Sequence, residues 1–176
     1  RRKRPKMPKL NANDAKKVQN TEPVHGGAFE LLPAGSYLAR LRSVEARQST
    51  NGHPQWSIQW EELHDFDHER YAGRQFMDLN LPQAKMPASY TKGPDKWEKY
   101  QGMCRGRLAA FFDALGYTAD SDTDEMIGER CIIQVGVRTI QNGARAGEKT
   151  NQVNGIEEFD ADKYGDAGGD GDEDNF

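Results

Sequence analysis

GSYLARLRSVE, Gly35–Glu45, is the stretch on which the reading of the fold turns. Tyr37, Ala39, Leu41 and Ser43 alternate with Leu38, Arg40 and Arg42, the period of two of a strand with one face on a core. Downstream, ARQSTNGHP (Ala46–Pro54) is turn chemistry around Asn51-Gly52. QWSIQWEEL (Gln55–Leu63) then sets Trp56, Ile58 and Trp60 on one face and Gln55, Ser57, Gln59 and Glu61 on the other. Past the polar HDFDHERYAG, RQFMDLNL (Arg74–Leu81) turns Met77, Leu79 and Leu81 one way and Arg74, Phe76 and Asp78 the other. The three segments read as a meander.

A Pro-containing loop over 82–94 leads to a helix predicted from Trp97 to Leu115, with Asp95 as N-cap and Gly116 just past the end. Trp97, Tyr100, Cys104, Leu108, Phe111, Phe112 and Leu115 share one stripe at helical spacing. Gly102 and Gly106 each cost about 1 kcal/mol against Ala and weaken its first half. A helical turn at Asp124–Ile127 stops at Gly128. Arg130–Ile140 is strand-like through Ile133, Val135 and Val137, NGARAGEKT (Asn142–Thr150) is a basic hairpin loop, and Asn151–Phe159 closes with Val153, Ile156 and Phe159. The order β-β-β-α-β-β predicts a mainly β fold: a five-stranded Greek-key barrel with one helix between strands 3 and 4, the OB-fold. An α+β sheet with one covering helix is the alternative that the same pattern allows.

Length and composition fit one such domain with tails: 176 residues, 35% hydrophobic, 30% charged, mean hydropathy −0.93. That is poor in apolar residues for a fully packed chain. No apolar run approaches the ~18 residues of a membrane span. Cys104 and Cys131 sit inside apolar patterns and read as buried reduced thiols, too few for a disulfide scaffold or a zinc site. With no glycosylation sequon and no signal-peptide pattern, the chain is expected in a cytoplasm, the host's if a phage encodes it.

The net charge of −4 hides three parts. Residues 1–17 hold eight bases against one acid, residues 157–176 nine acids against one base, and the middle is −3. The expected organisation is a flexible basic arm (1–27), a folded domain (28–160) and a disordered acidic tail (161–176). A basic arm with an acidic tail on one chain points to nucleic-acid work. The tail, KYGDAGGDGDEDNF from Lys163, is a solubilising segment on one reading. On the favoured reading Asp172, Glu173, Asp174 and the terminal Phe176 form a docking peptide, one aromatic anchor beside several anions.

The chain carries no Walker loop, strand-linked GxGxxG, HExxH or nucleophile elbow, and no convincing acid–base pair, so no catalysis and no cofactor are expected. His64 and His68 bracket two acids in a polar loop that reads as a solvated turn, and no metal is assigned to it. An OB-fold binds oligonucleotides across strands 2 and 3 and the loops 1–2 and 4–5, with cations along the phosphates and rings under the bases. Arg40, Arg42, Arg47 and His53 supply cations on the first strand and its loop, Arg74 and Phe76 flank the third, and Arg138, Arg145 and Lys149 stand on the fourth and its hairpin. Trp56 reads first as core, with a possible reach to the groove mouth; Phe76, an aromatic among outward polar residues, is the sharpest candidate. Arg105 and Arg107 read as surface. Net negative charge penalises loose binding to duplex DNA, the denser polyanion, whereas exposed bases for stacking exist on single strands.

With three strands, a helix, a strand pair and a Gly/Asp tail ending DGDEDNF, the chain resembles bacterial and bacteriophage single-stranded DNA-binding proteins. From Phe29 to Phe159 it is also similar in layout to small phage-encoded OB-fold proteins of recombination and replication. The landmarks are GSYLARLRSVE, WSIQWEEL, RQFMDLNL, the helix ending ALGY, MIGERCIIQV and NQVNGIEEF. The resemblance implies a non-enzymatic protein that coats single-stranded DNA in phage replication, recombination or repair, forms homo-oligomers in some cases, and recruits partners through Asp172, Glu173, Asp174 and Phe176. The bacterial tips usually carry Pro before Phe, where Asn175 stands here. A protein-interaction adaptor or inhibitor built on an OB-like barrel, without nucleic-acid binding, is the alternative.

Overall fold

The structure, a computed structural model, describes residues 31–67 and 69–164. The predicted basic arm, the docking tip of the tail and His68 lie outside the described residues.

The long first strand, β1 (Gly35–Gln48), is the spine of the fold. Its residues 35–40 pair with β5 (Arg130–Thr139), and its residues 38–48 pair with β2 (Pro54–His64), both antiparallel. One strand thus feeds two strand pairs. On one side β2 carries β3 (Arg70–Tyr71) and β4 (Gln75–Asn80); on the other, β5 carries β6 (Lys149–Glu157). The result is a mainly β architecture, one six-stranded antiparallel sheet with a single long helix, and it is not closed. No ladder joins β4, which branches from β2 beside β3, to β6 at the other end of the sheet.

This departs from the expected five-stranded Greek-key barrel in two ways. A sixth strand forms where the polar HDFDHERYAG was read as loop: Leu63 pairs with Tyr71 and His64 with Arg70. Asp65 organises that turn, its Oδ1 accepting from the backbone N–H of Asp67 and Glu69 and its Oδ2 from the Tyr71 hydroxyl at 2.9 Å. The second departure is the open seam between β4 and β6.

On β2 the inward face follows the alternation; on β1 a register shift between Leu41 and Ser43 breaks it, so that Val44 rather than the expected Ser43 comes next against the core. Leu41 pairs with Trp60, Val44 with Ile58 and Ala46 with Trp56 across β1–β2, and Ile133 with Ile156 and Val135 with Val153 across β5–β6. Leu38 and Ile132, opposite one another on the other face, are buried too, so β1 starts buried on both sides. The helix α1 (Pro94–Leu115) begins three residues before the predicted start at Trp97. Gly93 is the N-cap and Pro94 occupies the first turn, where its missing N–H costs nothing; Asp95, expected as the cap, sits in the first turn instead, favourably placed for the helix dipole. Gly116 ends it in the left-handed conformation at φ 76°. Phe111 and Phe112 drive α1 into the open side of the sheet, Phe111 meeting Trp56 edge-on at 6.2 Å and Trp60 at 6.4 Å between ring centroids. The stripe also buries a polar residue, Gln101, whose Oε1 accepts from the Gln83 N–H at 2.6 Å and ties the loop after β4 to the helix. A 3-10 turn (Thr123–Met126) capped by the Asp122 side chain seats Met126 in the core. Burial pushes the Cys131 thiol up to about 12, which leaves it unreactive at neutral pH. After β6 the chain makes one helical turn, α2 (Ala161–Tyr164), starting within the segment expected as disordered tail.

None of the described helices is long and apolar enough to cross a membrane.

Candidate nucleic-acid interface

Burying Met77 and Leu79 against Ile58 and Trp56 forces the alternate residues of β4 outward, because a strand's side chains change face at every step. Phe76 therefore projects from the sheet opposite Gln59, 55% exposed, with Asp78 two positions further along the same face. Across the seam β6 offers amides rather than hydrocarbons. The register of β5–β6 slips between Gln134 and Val135, which leaves Asn154 as the extra residue of a bulge. Its amide lies over Gly136, where a Cβ would run into it, and the Gln134 amide covers Gly155 in the same way, its Oε1 3.3 Å from where a Cβ would be. Asn151 holds the chain just before β1 beside β6: its Oδ1 accepts from the Leu32 N–H and its Nδ2 donates to the Leu32 carbonyl, each at 2.9 Å.

Between these edges runs a groove of about 630 Å³. Phe76 and Asp78 stand on its β4 wall, Asn154 on its β6 wall, Arg138 at the β5 end, and Gly106 and Arg107 on the helix side. Neither Arg107 nor Arg138 has an ion pair among the described residues. A second cavity of about 460 Å³ adjoins it at the β1–β2 loop, with Asp78 in the wall of both. It is lined by Ser49, Asn51 and His53 of that loop and by Tyr90, Lys92 and Tyr100 from the loop after β4 and from α1. The rings form a connected set: Tyr90 meets Trp97 at 4.9 Å, Trp97 meets Tyr100 at 5.9 Å, and Tyr100 meets His53 at 6.2 Å. Burial, then a hydrogen bond with Cys104, pushes the Tyr100 hydroxyl up, so it stays neutral and able to donate.

The predicted cations divide into two groups. Arg40 and Arg42 both bond Glu61, at 3.1 and 2.6 Å, and Arg40 also meets Glu62 at 2.6 Å. Arg47 pairs with Glu45 at 3.1 Å and Arg145 with Glu148 at 2.7 Å. These four guanidiniums are already spoken for by carboxylates and line neither the groove nor the second cavity. Arg74, Arg138 and Lys149 are without an ion pair among the described residues, and of the three only Arg138 lines the groove. Trp56 packs edge-on against Phe111 and Phe112, with the core, and lines neither cavity. The structure therefore brings Phe76 and Arg138 together in the groove, sets His53 in the adjoining cavity, and leaves the other predicted residues apart. It adds Lys92 and Tyr90, which the sequence reading passed over, Arg107, which it read as surface, and Tyr100, which it placed in the helix stripe. Arg107 is exposed one helical turn before Phe111 and lines the groove together with the small residues Gly106 and Ala110.

The pairing of Arg40 has a local cause. Arg40 and Arg130 stand directly opposite one another in the β1–β5 register, a repulsive arrangement. A bulge in β2 puts Glu62 at φ 53°, and its carboxylate reaches Arg40 at 2.6 Å and Arg130 at 3.8 Å. The hydrogen bond from Arg42, then the one from Arg40, holds the Glu61 carboxyl below its ordinary 4.5 against the opposing effect of burial. A lowered folded-state pKa stabilises above the unfolded value and stops doing so as pH falls through the folded one. Glu61→Gln should accordingly cost about 0.5–1 kcal/mol at pH 7. The gap to wild type closes as pH falls through the lowered folded-state pKa, below the ordinary 4.5; thermal melts at stepped pH check this, and a gap independent of pH would refute it.

A third cavity, about 500 Å³, lies against Leu115, Gly128 and Phe159 with Arg40 and Arg130 in its wall, both committed to Glu62. Among the described residues no group of three or more His, Cys, Asp or Glu is disposed to hold a metal ion. No protein-family model matches the chain, and no curated protein matches it significantly.

Proposed function

We propose that this chain is a single-stranded DNA-binding protein whose sheet is an OB-type barrel left open at one seam, and that DNA lies in that seam. The strand pairing supports the fold assignment: β1 shared between β1–β2–β4 and β1–β5–β6, with α1 inserted between β4 and β5, is the connectivity such a barrel requires. One observation carries the function. The groove sets an outward phenyl ring, Phe76, together with two guanidiniums that have no ion pair among the described residues, Arg107 and Arg138. A ring stacks a base in any sequence, and cations track the phosphates. A domain of net charge −3 over residues 18–156 has little general attraction for duplex, so base exposure decides what binds. The reaction is binding alone; partners in replication and recombination would be met through the acidic tip.

Fluorescence anisotropy with labelled oligo(dT) and a duplex of equal length tests this. Single strand should bind well ahead of duplex, with log affinity falling against log salt at about −0.7 per phosphate neutralised. Equal affinity for duplex would defeat the reading. The unpaired edges of β4 and β6 favour a second reading, an extended peptide added to the sheet as a strand. Failure of every oligonucleotide to bind would leave that one standing.

A further inference from the structure

Asp78 is out of keeping with a groove built for a polyanion. It stands in the wall of both cavities, at their junction, exposed, and without an ion pair or hydrogen bond among the described residues. Its cross-strand neighbour Ser57 is buried, and Asn80 and Gln55 continue the same outward face. A carboxylate here repels phosphates, so the backbone of a bound strand must pass on the Arg107–Arg138 side and turn its bases toward β4.

The spacing fits that arrangement. Phe76 and Asp78 share a face two residues apart, about 7 Å at the ~3.4 Å rise of a strand. This is close to the distance from the centre of a stacked base to its Watson–Crick edge plus one hydrogen bond. An ionised carboxylate only accepts, through two oxygens side by side. Guanine is the one base whose Watson–Crick edge shows two adjacent donors, N1–H and the N2 amino group. Cytosine and adenine each show one amino donor next to an acceptor. Thymine shows a single N3–H between two carbonyls, both of which a carboxylate repels.

Resting on the single-strand reading, we infer that Asp78 is a base-selecting residue: it favours guanine at the nucleotide stacked on Phe76 and disfavours thymine. Binding is then tolerant of sequence along most of the strand and biased at one position. Charge-assisted bidentate contacts of this kind discriminate strongly, and in an open groove about a tenfold preference is expected.

The test compares wild type and Asp78→Asn, an isosteric change at an exposed position, on labelled oligo(dT), on the same length with guanine at every third position, and on that oligonucleotide with hypoxanthine for guanine. Wild type should prefer the guanine oligonucleotide about tenfold over oligo(dT), and hypoxanthine, which lacks the N2 amino group, should forfeit most of that. In Asp78→Asn the guanine-to-thymine ratio should fall to within about twofold, while oligo(dT) itself binds as well or better because a repelling charge is gone. Equal wild-type affinity for all three, or a ratio unchanged in the variant, overturns the inference and leaves single-strand binding intact. No binding of any oligonucleotide overturns both.

Discussion

Replacing Phe111 by alanine is expected to lower the unfolding free energy by about 3–5 kcal/mol. The ring is fully buried and meets Trp56, Trp60 and Phe112 edge-on, at 6.2, 6.4 and 5.7 Å between centroids. It is the point at which α1 is fastened to β2, so its loss empties a site walled by three large rings that cannot easily collapse inward. Set against the ~5–15 kcal/mol total typical of a domain, that leaves the variant near the edge of folding. Urea titration followed by circular dichroism measures it. Met103→Ala on the same helix, at a residue 47% exposed, is the control and should stay within about 0.5 kcal/mol of wild type. If the two variants unfolded together, α1 would not be anchored as described.

The second large effect concerns binding. Phe76→Ala, Arg107→Ala and Arg138→Ala combined should weaken oligo(dT) binding about a hundredfold or more, one stacking contact of ~1–3 kcal/mol and two phosphate contacts being lost together. The slope of log affinity against log salt should flatten by about 1.4, at ~0.7 for each phosphate no longer neutralised. Arg42→Ala with Arg145→Ala removes the same formal charge from guanidiniums held by Glu61 and Glu148, and should change affinity less than threefold. Anisotropy titrations at several salt concentrations separate the two cases. Equal losses in both would mean that overall charge governs binding and the seam does not.

The contrast between these arginines shows where reading the sequence succeeds and where it stops. The alternation in Gly35–Glu45 and Gln55–Leu63 is legible because one face of each strand must be buried, and both strands form there with ends shifted by three residues or fewer. The α1 stripe is legible for the same reason at another period. What periodicity does not contain is register. Arg40 and Arg42 alternate outward as expected, yet the β1–β2 pairing and the bulge at Glu62 bring carboxylates onto them. The two-residue β3 is invisible for want of a pattern, since two residues cannot show a period. The groove is harder still, being made by β4, α1 and β6, which meet only after the chain has doubled back through β5. Phe76 announces itself as an aromatic on a polar face; Arg107 and the rings around Lys92 acquire meaning only from what stands across from them.

The unladdered seam has a further consequence. Paired strands are locked about 4.8 Å apart by their hydrogen bonds, whereas the gap between β4 and β6 is governed by how α1 wedges against the sheet and how sharply β1 bends. No backbone hydrogen bond between these two strands therefore fixes its width. On the proposed single-strand reading, a gap without that spacing constraint suits a polymer whose purine and pyrimidine units differ in size.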